Sequence, residues 1–247
     1  MRYLVLTDIH ANQEALDACL GHARVRGYDR ALVLGDIVGY GPDPNAVVEC
    51  VQQLPHVVIV RGNHDKVACG LEQADGFNTV AKSAAHWTFD VLRPACREWL
   101  CALPAGPTVV DDLVEICHGS PYDEDAYIFD ELDAVRAMKT SSRPLCLFGH
   151  THYPVMFELT AGRFENLPPA QSADFRLPLR NGSKYLVNPG SVGQPRDGDP
   201  RAAYAIVDTK MRHLELTRIP YPVQETQAKV LSAGLPEVLA QRLAVGR

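Results

Sequence analysis

Six short apolar runs, each stopping abruptly at a polar cluster, constrain this chain more than any other feature. They are Tyr3 to Leu6, Ala31 to Leu34, Val57 to Val60, Leu113 to Cys117, Leu145 to Phe148 and Tyr185 to Val187. Runs of this length, rich in Val, Leu and Ile, fit strands of a sheet covered on both faces. Between the first two, Leu16, Cys19, Leu20 and Ala23 follow helical spacing behind an N-cap candidate at Asn12. Asn12 to Arg24 is therefore expected to be an amphipathic helix. Asn45 to Leu54 repeats the pattern, with Pro42 and Pro44 breaking the chain ahead of it, so the opening reads βαβαβ with right-handed crossovers. The segment Lys66 to Leu103 has helical stretches at Val80 to Phe89 and Pro94 to Leu100 and is expected to cap one side of the strand ends.

Beyond Phe148 the texture changes to short runs joined by Gly and Pro turns: Val155 to Leu159, Tyr185 to Val187, Ala203 to Val207 and His213 to Thr217. That texture favours antiparallel pairing. Gly162 to Ser183, which contains Pro168, Pro169, Pro178 and Gly182, is expected to be a lid-like excursion, and Val223 to Leu243 a helical tail. A length of 247 residues with 46% hydrophobic and 22% charged content fits one domain spanning 1–247.

Charge narrows the partners. Lys+Arg at 24 against Asp+Glu at 30 gives −6, with no basic run to track a phosphate backbone, so electrostatically driven nucleic-acid binding is disfavoured. The N-terminus lacks a signal-peptide apolar region and no stretch is long enough for a membrane span, which sets cytoplasmic localisation as the expectation. The seven cysteines are odd in number and scattered without CxxC spacing, so they are expected to be reduced and mostly buried.

The chemistry sits in the polar cluster at the end of each strand: Thr7-Asp8-Ile9-His10, Gly35-Asp36, Gly62-Asn63-His64-Asp65, His118-Gly119 and Gly149-His150-Thr151-His152. Five of the nine histidines fall there. In open α/β sheets, functional groups gather at the carboxyl edge of the strands, so these distant segments can converge on one pocket. Asp, Asn and His together offer the mixed oxygen and imidazole donors that suit divalent Mn, Fe, Zn or Co. In Asp8-x-His10 and His150-x-His152, alternate side chains share one side of an extended or turning backbone. A lone Asp-x-His is usually a cap or a turn, Gly-Asp usually a turn, and a lone His118 a hydrogen-bonded core histidine. It is the five in this order, each at the end of an apolar run, that point to a site.

This ordered set resembles the calcineurin-like metallophosphoesterase superfamily from residue 4 to about 205. Asp8-Ile9-His10-Ala11-Asn12 and Asn188-Pro189-Gly190-Ser191-Val192-Gly193-Gln194-Pro195-Arg196 look most like its small bacterial and archaeal members. The resemblance implies a four-layer α/β/β/α sandwich of two mixed sheets, with a dinuclear metal site at the C-terminal ends of the strands. It implies one divalent metal held by Asp8, His10, Asp36 and His152 and a second by Asp36, Asn63, His118 and His150, with Asp36 bridging. A metal-bridging hydroxide would be the nucleophile, manganese a fitting metal, and His64 the group that protonates the leaving oxygen or stabilises its charge.

Around that core the readings stay double. Asn12 is a phosphate contact or an N-cap. The Asn188 to Gly193 turn, Gly190 included, is an anion-binding nest or a tight turn ending a strand. Gln194 and Arg196 are phosphate or leaving-group contacts, with an exposed loop charge the alternative for Arg196. Tyr40, His86, Trp87 and Phe175 are candidates to shape a leaving-group pocket.

Phosphoprotein phosphatases and the related dinucleoside tetraphosphatases carry Gly-Asp-x-Val-Asp-Arg-Gly and Gly-Asn-His-Glu, whereas this chain reads Gly35-Asp36-Ile37-Val38-Gly39-Tyr40-Gly41 and Gly62-Asn63-His64-Asp65. The Asp that orients the catalytic His and the phosphate-binding Arg are replaced by Gly39 and Tyr40. The resemblance thus implies a phosphodiesterase acting on a small phosphoester or nucleotide. Its rivals are a pyrophosphate or dinucleoside polyphosphate hydrolase, a phosphomonoesterase, and a non-catalytic scaffold. A homo-oligomer is open on sequence grounds.

Overall fold

The computed structural model describes residues 1–167 and 174–247. In chain order the elements open with β1 (Arg2–Leu6), α1 (Gln13–Arg26), β2 (Arg30–Val33), α2 (Pro44–Gln52), β3 (Val58–Ile59), α3 (Asn63–Cys69), α4 (Thr79–Val91) and α5 (Pro94–Cys101). The middle of the chain forms β4 (Thr108–Val109), β5 (Val114–Ile116), α6 (Glu131–Thr140), β6 (Leu145–Leu147), β7 (Pro154–Thr160) and β8 (Arg163–Leu167). It ends with β9 (Asp174–Pro178), β10 (Ser183–Pro189), β11 (Ala202–Asp208), β12 (His213–Ile219), α7 (Val223–Ser232) and α8 (Glu237–Leu243).

Two mixed six-stranded sheets result, ordered β3-β2-β1-β11-β12-β9 and β4-β5-β6-β10-β7-β8. The strands that carry the site are parallel within each sheet: β1 with β2 and β2 with β3, then β5 with β6 and β6 with β10. Alternation along β1 shows how the layers bind. Leu4 and Leu6 point to a core shared with Leu16, Leu20 and Val48 of α1 and α2, while Tyr3 and Val5 point to a core between the sheets shared with Val114, Leu145 and Tyr185. A third core joins Cys146 and Leu186 to Ala134, Ala137 and Met138 of α6. The layers are therefore helices, sheet, sheet, helix, as the sequence implied. Each fully buried Leu in these cores contributes about 1.5–3 kcal/mol through burial.

The expected helix after β1 is α1, with the Asn12 side chain accepting from Ala15 N as its N-cap. The segment Lys66 to Leu103, expected to be helical, holds the end of α3 and all of α4 and α5. The expected lid differs. Its flanks are strands: β8 pairs with β7 at the edge of one sheet and β9 with β12 at the edge of the other. Phe164 of β8 stacks on Phe157, which a period-two pattern of Arg163-Phe164-Glu165 permits. Residues 168–173, with Pro168 and Pro169, lie outside the described residues. The cysteines are free, and five of them are buried. Among the described residues no helix is long and apolar enough to cross a membrane.

Candidate metal centre

The parallel strands of both sheets stop at one edge of the molecule, and the predicted donors come directly after them: Asp8 and His10 after β1, Asp36 after β2, Asn63 at the start of α3 behind β3, His118 after β5, His150 and His152 after β6. Two groups of donor atoms converge there. Asp8, His10, Asp36 and His152 lie within reach of one another, as do Asp36, His118 and His150. Asp36 belongs to both: its Oδ2 is 3.5 Å from His10 Nε2 and 3.5 Å from His118 Nε2. Asn63 Oδ1 joins the second group at 3.2 Å from His118 Nε2.

The tautomers decide whether these residues suit cations. His10 Nδ1 donates to Val38 O (3.1 Å), His118 Nδ1 to Leu34 O (2.7 Å), His152 Nδ1 to Gln194 O (2.6 Å) and His150 Nε2 to Asp125 O (3.1 Å). A carbonyl oxygen only accepts, so each of these nitrogens carries the proton and the other nitrogen presents a lone pair. The lone pairs then face each other: His10 Nε2 is 3.1 Å from His152 Nε2, and His118 Nε2 is 3.1 Å from His150 Nδ1. Facing lone pairs at that distance repel unless a cation lies between them. Backbone carbonyls fixing the far nitrogen are the usual support of metal-ligating imidazoles. The donor set fits borderline divalent metals.

Backbone strain marks the same place. Ten described non-glycine residues have positive φ, and seven of them are Asp8, His10, Ala11, Asp36, Tyr40, His150 and His152. Such conformations cost of order 1–3 kcal/mol each, so packing must enforce them. Gly62 shows how tightly: a Cβ there would lie 2.1 Å from Asp36 Oδ1.

Burial sets the charge states of the metal-free site. It pushes the Asp8 carboxyl up to about 7 and raises Asp36 well above the usual carboxylate range, the latter helped by the like charge of Asp65. It holds His10 and His152 well below the ordinary imidazole value and His150 down to about 2. A ligating carboxylate must lose its proton, so metal binding competes with protonation of Asp8. Affinity for Mn²⁺ is therefore expected to fall as pH drops through about 7, by about tenfold per unit for each proton displaced. Calorimetry in two buffers of different ionisation enthalpy measures the protons released. A pH-independent affinity between pH 6 and 8 would contradict this.

His64 is 4% exposed, and its main-chain N–H donates to Asp36 Oδ1 (2.9 Å). Its ring is held by rings: Tyr40 at 4.3 Å, Phe77 at 4.5 Å and the edge of His10 at 4.9 Å between centroids. Gly39, at φ +90°, makes room, since a Cβ there would be 2.6 Å from His64 Nδ1. Asp65 has another task. Its carboxylate accepts from Ile37 N (2.9 Å), Val38 N (3.1 Å) and Gly62 N (2.9 Å), tying the loop after β2 to the start of α3.

Two of the doubly read positions are engaged in hydrogen bonds within the protein. Asn12 Oδ1 accepts from Ala15 N and Thr226 Oγ1, and Nδ2 donates to Gly193 O and Tyr221 Oη, so the residue is a cap and a tether for α7 with no donor to spare. In the turn after β10, four main-chain N–H groups are likewise engaged. Gly190 N donates to Asn188 Oδ1, Val192 N to Thr7 O, Gly193 N to Asp8 O and Gln194 N to Ser191 Oγ. It clamps the loop that bears Asp8 and His10. Gln194 is 2% exposed; its carbonyl orients His152 and its Oε1 accepts from Arg196.

Of the four aromatic candidates, Tyr40 stands at the site, edge-on to His10 at 4.8 Å. Trp87 packs in the cluster behind Tyr40, His86 is exposed, and Phe175 packs between the sheets.

Sequence reasoning missed a neighbour on the other side. Tyr127 stacks on His150 at 3.8 Å, and Phe129 stacks on Tyr127 at 4.8 Å. Their loop is anchored by Lys66, whose buried Nζ reaches Asp125 (2.5 Å), Glu72 (2.9 Å) and Glu124 (3.2 Å). Those three carboxylates are a cation cluster already filled by an ammonium group.

A four-layer sandwich whose strand ends hold two linked sets of metal donors defines the metallophosphoesterase class. Residues 1–212 match the calcineurin-like phosphoesterase superfamily domain, and the chain belongs to that family. It is 35% identical to an uncharacterized protein of Methanocaldococcus jannaschii, over 98% of this chain and 97% of that one. The crystal structure of a metallophosphoesterase from Sphaerobacter thermophilus is similar at 38% identity and TM-score 0.87, with all of both chains covered. A hypothetical protein from Pyrococcus horikoshii shares the fold at 22% identity and TM-score 0.80, over 100% of this chain and 98% of that one.

Proposed function

We propose that the chain hydrolyses phosphodiesters with two divalent cations, one held by Asp8, His10, Asp36 and His152 and the other by Asp36, Asn63, His118 and His150. The observation that carries this reading is the pair of facing lone pairs at 3.1 Å, linked through the Asp36 carboxylate. When bound, such cations supply Lewis acidity to phosphoryl oxygens and acidify water, and manganese fits the donors.

The protein's own groups have complementary roles. Nearby hydroxyls are spent inside the protein: Ser191 Oγ donates to Asp8 O, Thr7 Oγ1 to Asp8 Oδ2, and Thr151 Oγ1 accepts from Asn188. On this reading the nucleophile is solvent, as in the family the chain resembles. His64 stands beside Asp36 with a neutral ring, because burial and then the Arg196 charge lower its basicity. An entering phosphoryl anion restores that basicity, so the ring gathers a proton with the substrate and passes it to the leaving oxygen. The rings of Tyr40, Phe77 and Tyr127 flank the centre and suit a second ester substituent better than the bare monoester of a phosphoprotein.

Chelator-stripped protein reloaded with Mn²⁺ is expected to regain turnover of a bis-aryl phosphodiester, at a higher kcat/KM than the matching aryl monoester. A monoester preference would overturn the diesterase reading. Two bound metals with no turnover of either ester would favour a scaffold.

A further inference from the structure

The helical tail beyond the matched domain brings two features to the mouth of the site. Leu239 and Leu243 of α8 line a small void together with His10, Tyr40 and Gln194, and Leu239 packs in the cluster that contains Tyr40. The helix is thereby seated on the site loops. On its flank, Arg242 shares a cleft of about 420 Å³ with Tyr153, Arg196, Asp197, Gly198 and Arg247. Arg242 also borders an adjoining cleft of about 570 Å³ that reaches Tyr40. The Arg196 guanidinium lies 5.8 Å from the Tyr40 ring centroid, and that ring touches both His10 and His64. The arginines therefore border the candidate centre.

Their bonding is incomplete. Among the described residues neither Arg196 nor Arg242 pairs with an Asp or Glu; Arg196 donates to Gln194 Oε1, and Arg242 donates to the carboxyl-end oxygen of Arg247, whose own guanidinium lines the same cleft. Arg196 Nε is buried and has no acceptor. Asp197, the carboxylate that lines the cleft, is taken by Arg218. Burial and then the Arg196 charge hold Arg242 below the usual guanidinium range, so the pair is mutually repulsive until an anion arrives. In a chain of net charge −6, a cleft lined by Arg196, Arg242 and Arg247, none paired with an Asp or Glu among the described residues, is not a by-product of composition. Planar guanidinium groups with free donors match phosphate oxygens.

From this geometry we infer that Arg196 and Arg242 form a second phosphate subsite beside the metal centre, so that the substrate carries a phosphate in addition to the one hydrolysed. The inference rests on the hydrolase reading for its description of the first phosphate. It goes beyond that reading in assigning Arg242, which lies outside the matched domain, and in naming a doubly phosphorylated substrate class. Two substrate chemistries share the feature, a pyrophosphate link and a phosphate elsewhere on the same molecule.

Calorimetry on Mn²⁺-loaded and metal-stripped protein, with orthophosphate, pyrophosphate and a nucleoside 3′,5′-bisphosphate as probes, tests it. At least one of the two-phosphate probes is expected to bind about tenfold or more tightly than orthophosphate, and R242Q to remove that advantage while R242K keeps part of it. Dependence confined to pyrophosphate indicates linked phosphates; dependence confined to the bisphosphate indicates separated ones. An unchanged preference in R242Q and R196Q, each shown folded by circular dichroism, would overturn the subsite. Because binding is read directly, an Arg242-dependent preference in protein that hydrolyses no ester would sink the hydrolase reading and leave the subsite standing.

Discussion

Asp36→Asn is expected to lower phosphodiester turnover by about a thousandfold or more, because loss of a bridging charge removes several kcal/mol of cation binding and transition-state stabilisation. Bound metal should fall below two per chain by elemental analysis. The fold should survive, for a reason visible in the hydrogen bonds. Asn retains an oxygen to accept the His64 main-chain N–H, and its amide NH₂ takes the place of Oδ2, 3.5 Å from the lone pairs of His10 and His118. It can donate to them without taking up the proton that Asp36 must bind to do so. It also removes a buried group whose ionisation burial opposes. The metal-stripped variant is therefore expected to melt a few degrees above the metal-stripped parent, since about 1 kcal/mol moves the midpoint by roughly 2–4 °C at this size. A variant that kept both metals and full turnover would sink the assignment of Asp36 as the bridge.

The second large effect belongs to His64. His64→Asn should lower kcat by about a hundredfold to ten-thousandfold, the usual range for a lost general acid, while metal content stays at the parent level. The residue's main-chain N–H, which is what grips Asp36, is unaffected by the substitution. The loss should depend on the ester. An acidic phenol leaves without help and an alkyl alcohol does not, so the variant should be impaired more on an alkyl or nucleoside ester than on a nitrophenyl ester. Equal losses on both would show that His64 stabilises charge without delivering a proton.

Much of the centre was readable because its donors are local to strand ends. Asp8-x-His10 and His150-x-His152 announce themselves by spacing, and Asp36, Asn63 and His118 by the runs ahead of them. What escaped notice depends on contacts between distant segments. Asp65 adjoins a catalytic candidate, yet its position in the first turn of α3 aims the carboxylate at backbone amides of the preceding loops. Asn12 had a cap motif and a phosphate motif at once, and Thr226 and Tyr221, more than two hundred residues away, settle its bonding. Tyr127 lies in a stretch without periodicity and reaches His150 because Lys66 ties down its loop. Helix α6 was legible and overlooked: Asp130 caps it, Glu131 and Asp133 occupy its first turn, and Ala134, Ala137 and Met138 share its buried face.

The turn after β10 has a consequence for how the protein is made. Asp8 and His10 emerge among the first residues, but the clamp on their loop comes from Ser191, Val192 and Gly193. At about 5–20 residues per second, synthesis separates the two by roughly 10–40 s. Until the later segment docks, the loop of Asp8 and His10 has its main-chain bonds to Gly35, Asp36 and Ile37 but lacks the clamp, and His118, His150 and His152 have yet to be gathered around it. The nascent chain thus offers a partial donor set, Asp8, His10 and Asp36, before the three later histidines arrive. On the two-cation reading, the full ligand set forms only after the turn after β10 docks, so loading is expected to be a late event.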